Sequence, residues 1–127
     1  IEVINEEGLI ANAVSQGTYI KERFQELMNR FDCIGDVRGS GLLIGVDIVK
    51  DKATKERDVN KTAKICWRCW EKGLILAFFS GSVLRIAPPL VLTRAQAEQA
   101  LDIIEQAILE VEKNMVPDEI LDEIKGW

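Results

Sequence analysis

The spacing of apolar residues changes along this chain, and the change limits the folds that it can adopt. Apolar side chains recur at helical spacing in residues 9–31 and again in residues 97–115. Residues 34–49 carry short apolar runs broken by glycine instead, a pattern typical of two strands joined by a tight turn around residues 39–41. The sequence therefore predicts a β-hairpin between two amphipathic helices.

A further helix is predicted after the hairpin. Residues 50–57 are almost all charged and are expected to form a solvated loop. Asp58 can accept hydrogen bonds from the first free backbone N–H groups of a helix that runs to about Lys72. Gly73 then ends this helix, because glycine tolerates the left-handed backbone conformation found after many helices.

Two short strands and a long helix follow. The strands are predicted at residues 74–78 and 83–87, and prolines 88–89 end their pairing because proline has no backbone N–H. Thr93 and Gln96 have the spacing of a capping box at the start of the last helix. The order of elements predicts an α+β fold, in which a small, mostly antiparallel sheet has its helices packed on one face.

Composition excludes several classes of function. The 127 residues suffice for one core, and no apolar run approaches the roughly 20 residues of a membrane span. The net charge is -5 and basic residues are scattered among acidic ones, which argues against nucleic acid as a partner. Three cysteines without a secretory signal favour a reducing compartment, so we expect a cytoplasmic protein without membrane contact.

Arg85 is the main candidate functional residue. Side chains alternate along a strand, so Leu84 and Ile86 are expected to face the helices, while Val83, Arg85 and Ala87 point the other way. A guanidinium held on a short strand suits bidentate binding of a carboxylate. From spacing alone, a solvated arginine on an edge strand is the favoured interpretation.

Two other motifs are weaker candidates. The glycines of RGSGLLIG lie one residue off a dinucleotide-binding pattern, and a strand follows where that pattern needs a helix, so turn geometry is the favoured explanation. Cys66 and Cys69 form a C-x-x-C in mid-helix. Only Cys33 could add a third thiolate and the chain has no histidine, so a zinc site lacks ligands. A semi-buried structural pair is favoured over a redox pair.

Three segments together resemble a known family: GDVRGSGLLIGVDIVKD from Gly35, then EKGLIL, then LRIAPPLVLT before a long amphipathic helix. They are similar to the small C-terminal domain of class III aminotransferases, pyridoxal-phosphate enzymes that include 4-aminobutyrate, ornithine and acetylornithine aminotransferases. The similarity covers about residues 1 to 115. Residues 78–82 depart from the common pattern, and nothing in the sequence places the residues after Pro117.

The resemblance implies a role for Arg85 and a division of the chain. Arg85 matches the family arginine of the R-x-x-P-P-L segment, which binds a substrate carboxylate. Residues 1–31 would be connecting helices from a large domain, consistent with a chain that opens at Ile1 inside an apolar stretch. Residues 32–115 would form the small domain, and residues 116–127 an acidic tail. The cofactor lysine of such enzymes belongs to the large domain, so we assign no catalytic, cofactor-binding or metal-binding residue here.

The expected activity is amino transfer by a longer parent protein. The resemblance implies a homodimer that uses pyridoxal 5'-phosphate to move an amino group from an amino acid, with 4-aminobutyrate as the expected donor, to 2-oxoglutarate. Its partners would be amino-acid and oxo-acid substrates and its own large domain. The isolated chain is expected to be inactive and to bind no cofactor. Two alternatives stay open, an amino-acid racemase of the same family and a non-catalytic interaction module.

Overall fold

The structure, a computed structural model, describes residues 8–89 and 91–123. Within these ranges the elements are α1 (Leu9–Arg30), β1 (Ile34–Ser40), β2 (Leu43–Asp51), β3 (Glu56–Arg57), α2 (Val59–Glu71), β4 (Ala77–Phe79), β5 (Val83–Ile86), α3 (Arg94–Glu112) and α4 (Ile120–Glu123). The apolar stretch at Ile1 and the end of the acidic tail lie outside the described residues. No helix in the described part of the chain is long and apolar enough to cross a membrane.

One antiparallel sheet organises the fold. Its strand order is β1-β2-β5-β4, and the two-residue β3 pairs with the end of β2. The helices lie against one face of this sheet, which confirms the predicted α+β class. β5 lies between β2 and β4, so the expectation that Arg85 belongs to an edge strand is wrong. After β4 the chain crosses back, so that β5 pairs with β2 of the hairpin. The order of the elements along the sequence does not reveal this pairing.

The core lies between the inner face of the sheet and the helices. Alternate residues of β2 and β5 point inward, as predicted from their spacing. They pack against the apolar faces of α1 and α3, and the whole set is nearly inaccessible to water: Phe24, Leu27, Ile44, Val46, Ile48, Leu84, Ile86, Leu101, Ile104 and Ile108. Within residues 8–89 and 91–123, no helix covers the outer face of the sheet.

The strand predicted at residues 74–78 begins later, at Ala77. The backbone N–H groups of Gly73 and Leu74 donate to carbonyls of the last turn of α2, at 3.0 and 2.8 Å, and so belong to the end of that helix. Ile75 is then 87% exposed, while Leu76 is buried. The apolar run Leu-Ile-Leu therefore leads from the helix to the sheet instead of pairing as a strand.

Both predicted helix caps are present. The side chain of Asp58 accepts a hydrogen bond from the backbone N–H of Lys61 at 3.0 Å. Thr93 and Gln96 exchange reciprocal bonds, with the Thr93 hydroxyl accepting from Gln96 N at 3.1 Å and the Gln96 amide oxygen accepting from Thr93 N at 3.0 Å. These bonds satisfy N–H groups that the first turn of a helix leaves without partners.

A buried carboxylate joins α2 to α3. Glu110 is only 5% exposed, and its carboxylate lies 3.2 Å from a guanidinium nitrogen of Arg68 and 2.7 Å from Nζ of Lys72. These two cations, with the hydrogen bond from Lys72 as the largest cause, lower the pKa of Glu110 below its ordinary value. Glu110 therefore stays ionised in the fold and links the two helices.

The segment after Pro117 contributes to the core as far as the structure describes it. Val116 and Ile120 are 3% and 8% exposed and belong to the same apolar cluster as the sheet. The ammonium of Lys64 on α2 forms an ion pair with Asp118. The start of the tail, whose position could not be predicted, thus lies along α2.

Candidate functional site

The candidate site lies on the uncovered outer face of the sheet. Arg38 of β1 pairs with Gly45 of β2, Gly45 pairs with Arg85 of β5, and Arg85 pairs with Ala77 of β4. Directly opposed residues of antiparallel strands point to the same face. Arg38, Gly45, Arg85 and Ala77 therefore form one row across the sheet, with a glycine between the two arginines.

Arg85 differs from the other arginines in what it contacts. The other arginines each have a hydrogen-bond or ion-pair partner, for example Asp102 for Arg23 and Glu105 for Arg30. Among the described residues, the guanidinium of Arg85 has no hydrogen bond, ion pair or ring contact, and the residue is exposed. No residue in the described part of the chain occupies any of its five N–H donors.

Arg38, the neighbouring arginine in the row, is already paired. Its Nη1 lies 2.8 Å from Oδ1 of Asp47 and 3.3 Å from Oδ2 of Asp36. The close contact with Asp47, with Asp36 beside it, raises the pKa of the Arg38 guanidinium. Two carboxylates around one guanidinium leave this side of the row with a formal excess of negative charge, so Arg85 is the better anion-binding group.

A depression of about 610 Å³ opens between the two arginines. Arg38, Gly45 and Arg85 line its middle, and the apolar side chains of Leu43 and Phe79 flank it with 59% and 48% exposure. A second depression of about 650 Å³ reaches Arg85 from the side of Ala77 and the first turns of α3. Arg85 thus borders both depressions, where a carboxylate could be bound with an apolar group beside it.

The main chain holds Arg85 in place. β5 is hydrogen-bonded to β2 on one side and to β4 on the other. Pairing ends after Ile86, before Pro88 and Pro89, as the missing N–H groups of proline predict. The backbone that carries the guanidinium is therefore fixed, and binding has to order only the side chain.

The described residues around Arg85 do not fit the covalent site of pyridoxal phosphate. No lysine is found among the described residues that line either depression. Lys61, Lys64 and Lys72 are held in ion pairs with carboxylates elsewhere on the fold. We therefore derive no step of the cofactor chemistry from this chain.

The glycine motif has two explanations rather than one. Gly39 and Gly41 have φ of 141° and 56°, values that favour glycine, so turn geometry accounts for both. Gly45 lies within β2, outside the turn, and has no positive φ. The prediction that turn geometry explains the whole motif is therefore wrong for Gly45.

The cysteines are buried deeper than predicted. Cys66 and Cys69 are 1% and 0% exposed instead of semi-buried, and Cys33, for which no burial was predicted, is 3% exposed. Burial raises the pKa of each of the three thiols to about 12. A thiol that stays protonated is a poor nucleophile, so this environment argues against the redox alternative.

We expect the three thiols to react with iodoacetamide at pH 8 far more slowly in the folded protein than in urea, because the reagent attacks the thiolate. Intact-mass spectrometry over time measures the rate, and the urea-unfolded protein is the control. Alkylation of Cys66 and Cys69 at equal rates in both states would contradict the inert assignment.

The chain belongs to the class III aminotransferase family. The family model described as "Aminotransferase class-III" matches residues 1–108. Among solved structures, an aminotransferase of Bacillus anthracis aligns with a TM-score of 0.80 and 34% identity, over 86% of this chain and 26% of that chain. Both findings agree with the resemblance read from the DVRGSG and LRIAPPL motifs. The membership implies pyridoxal phosphate in the full-length protein.

Two curated relatives carry a different activity in their names. A leucine/methionine racemase of Thermococcus litoralis is 46% identical over the whole of this chain, which spans 29% of that protein. An alanine/serine racemase of Pyrococcus horikoshii is 52% identical over 85% of this chain and 23% of its own length. The chain thus spans under a third of the curated relatives it matches. The 4-aminobutyrate and ornithine group receives no particular support.

Sequence reasoning identified Arg85 and missed its surroundings. Asp36 and Asp47 were not singled out, although strand alternation places both on the outer face with Arg38, and Gly45 was interpreted only as part of a turn motif. That alternation was the available signal. Which residues face each other across strands depends on register, which a single sequence does not reveal.

Proposed function

We propose that this chain supplies the substrate-carboxylate arginine, Arg85, to a pyridoxal-phosphate enzyme that transfers an amino group from an amino acid to 2-oxoglutarate. The observation that carries the proposal is an exposed, unpaired guanidinium at the junction of two depressions, among the residues that the structure describes. Family membership and the similar Bacillus anthracis aminotransferase support the reaction class. We propose 4-aminobutyrate as the donor.

The proposed role of Arg85 is binding and orientation. Two parallel N–H donors of a guanidinium match the two oxygens of a carboxylate, and such charge-assisted pairs contribute about 1.5–3 kcal/mol. The same contact can hold the donor amino acid and the oxo-acid acceptor, since both carry a carboxylate. The Schiff-base lysine is assigned to the large domain that the family has.

The proposal extends to the oligomeric state, the compartment and the partners of the parent protein. We propose a homodimeric, cytoplasmic parent in which this chain packs against its own large domain, with neither nucleic acid nor membrane as a partner. The exposed apolar side chains Ile75 and Val91, at 87% and 60%, support a covered surface of this kind.

Amino-acid racemisation is the second candidate function. Relatives that are 46% and 52% identical to this chain are named as racemases of amino acids with apolar or small side chains. Arg85 would have the same task in that reaction, because the carboxylate stays in place while the proton on the neighbouring carbon is exchanged. The site of this chain therefore serves either reaction.

One experiment separates the candidates. The longer protein that contains this chain is loaded with pyridoxal phosphate and given L-leucine, L-alanine or 4-aminobutyrate, with and without 2-oxoglutarate. Formation of glutamate only when 2-oxoglutarate is present supports amino transfer, and chiral chromatography that finds D-leucine or D-alanine without it supports racemisation. Neither product from any substrate would favour the non-catalytic interaction module.

A further inference from the structure

Most glycines of the described chain are required by the backbone. Four that lie in turns or at helix ends have positive φ, which side chains rarely adopt: Gly8, Gly41, Gly73 and Gly81. Three others lie against neighbouring atoms, because an added Cβ would come within 1.9 Å of Gly41 O at Gly17, 2.7 Å of Val49 Cγ1 at Gly35 and 2.1 Å of Leu43 O at Gly39. For these seven, the fold itself explains the glycine.

Gly45 is the described glycine that the fold does not require. Its φ is not positive, and an added Cβ would lie 3.4 Å from Cγ1 of Val83 and 3.9 Å from Arg38, which are ordinary contact distances. Glycine within a strand weakens it, and often marks a place where a ligand or another backbone approaches closely. Nothing in the described chain therefore requires a glycine at position 45.

The position of Gly45 indicates which ligand approaches. It lies directly opposite Arg85 on the same face and lines the depression beside that guanidinium. Arg38, on its other side, is occupied by Asp36 and Asp47. Among the described residues, an anion above Gly45 therefore meets one free guanidinium, that of Arg85. A carboxylate whose adjoining carbon rests against Gly45, between Leu43 and Phe79, fits this arrangement.

We propose that Gly45 is a specificity-determining position: its missing side chain leaves the room in which the carboxylate end of the substrate lies against Arg85. The inference rests on the proposed role of Arg85 and adds a steric limit to it. A larger residue at position 45 would fill the depression and leave the sheet intact.

The test is a size series in the longer protein with its cofactor bound. Gly45→Ala and Gly45→Val are compared with Arg85→Ala for the KM and kcat of an amino-acid substrate. We expect KM to rise with side-chain size, by roughly tenfold or more for valine, which adds three carbon atoms, because a single carbon more or less in a pocket has effects of about this order, with a smaller change in kcat. The dissociation constant of 3-methylbutanoate, a carboxylate without an amino group, should rise in parallel.

Stability measurements keep the test decisive. We expect the midpoint of thermal unfolding to stay the same or to rise for Gly45→Ala, and this variant carries the test if Gly45→Val does not fold. An unchanged KM in Gly45→Ala and Gly45→Val, beside a raised KM in Arg85→Ala, overturns the inference about Gly45 alone. A KM that is unchanged in Arg85→Ala overturns the proposed function instead. A lower midpoint of thermal unfolding, or an altered oligomeric state, in both glycine variants would show that position 45 packs against protein and not against substrate. That result would also overturn the inference.

Discussion

Replacing Arg85 by alanine in the longer protein is expected to raise the KM for carboxylate substrates by about tenfold to a hundredfold, the range that corresponds to the loss of a charge-assisted contact. The guanidinium has no other partner among the described residues, so its removal leaves no group unpaired in the fold. Steady-state kinetics with donor and acceptor varied separately measure the effect. Unchanged KM values for both substrates would contradict the assignment of Arg85.

Two further variants control for charge and for general damage. Arg85→Lys keeps the positive charge and loses the planar fork, so we expect a KM between those of the wild type and Arg85→Ala. Arg30→Ala removes an arginine that is paired with Glu105 on the helical side of the protein. It should leave both KM values unchanged, and a rise equal to that of Arg85→Ala would mean that the effect is not local.

Replacing Glu110 by glutamine is expected to lower the free energy of unfolding by about 2 kcal/mol at neutral pH, because a buried carboxylate that pairs with two cations loses its charge. Arg68 and Lys72 remain partly exposed and regain some hydration, which keeps the cost below that of a fully buried pair. Urea-induced unfolding measures it. Glu71→Gln is the matched control, since Glu71 is exposed and pairs with the same Arg68, and its cost should be below about 1 kcal/mol.

The effect of Glu110 should depend on pH in a stated direction. The pKa of Glu110 is lowered in the folded state from an ordinary value of 4.5, so the folded state binds its proton less readily than the unfolded state does. The stabilisation is therefore complete above the ordinary pKa and is lost as the pH falls through the folded pKa. The difference between wild type and Glu110→Gln should shrink in acid. A difference that stays constant down to pH 3 would contradict this explanation.

Local patterns were sufficient to predict the three long helices, the hairpin and the direction of Arg85, and they missed β3, which lies in a segment expected to be a loop. Alternation in the strand placed Leu84 and Ile86 inward and Arg85 outward, and both capping residues, Asp58 and Thr93, are where their spacing predicted. These features depend on residues a few positions apart. A single sequence holds that information directly.

Features that depend on distant residues could not be predicted in this way. The position of β5 between β2 and β4 is a property of the whole sheet, and the row from Arg38 through Gly45 to Arg85 joins residues 47 positions apart. Glu110 was unremarkable as one charge on an amphipathic helix, because its burial depends on two cations from α2. Ile75 is the opposite case. It is apolar and was predicted to lie in a strand, but it is exposed and lies before β4.

The packing of the tail along α2 limits how far the chain can be shortened at its C-terminal end. The family match ends at residue 108, inside α3, whereas the apolar cluster continues to Val116 and Ile120. A chain shortened to the matched residues would lose Glu110 together with these two side chains and would expose the faces they cover. The end of the family match at residue 108 and the last core residue, Ile120, therefore lie 12 residues apart along this chain. Any excision of the unit for biophysical work should retain the segment through Asp122.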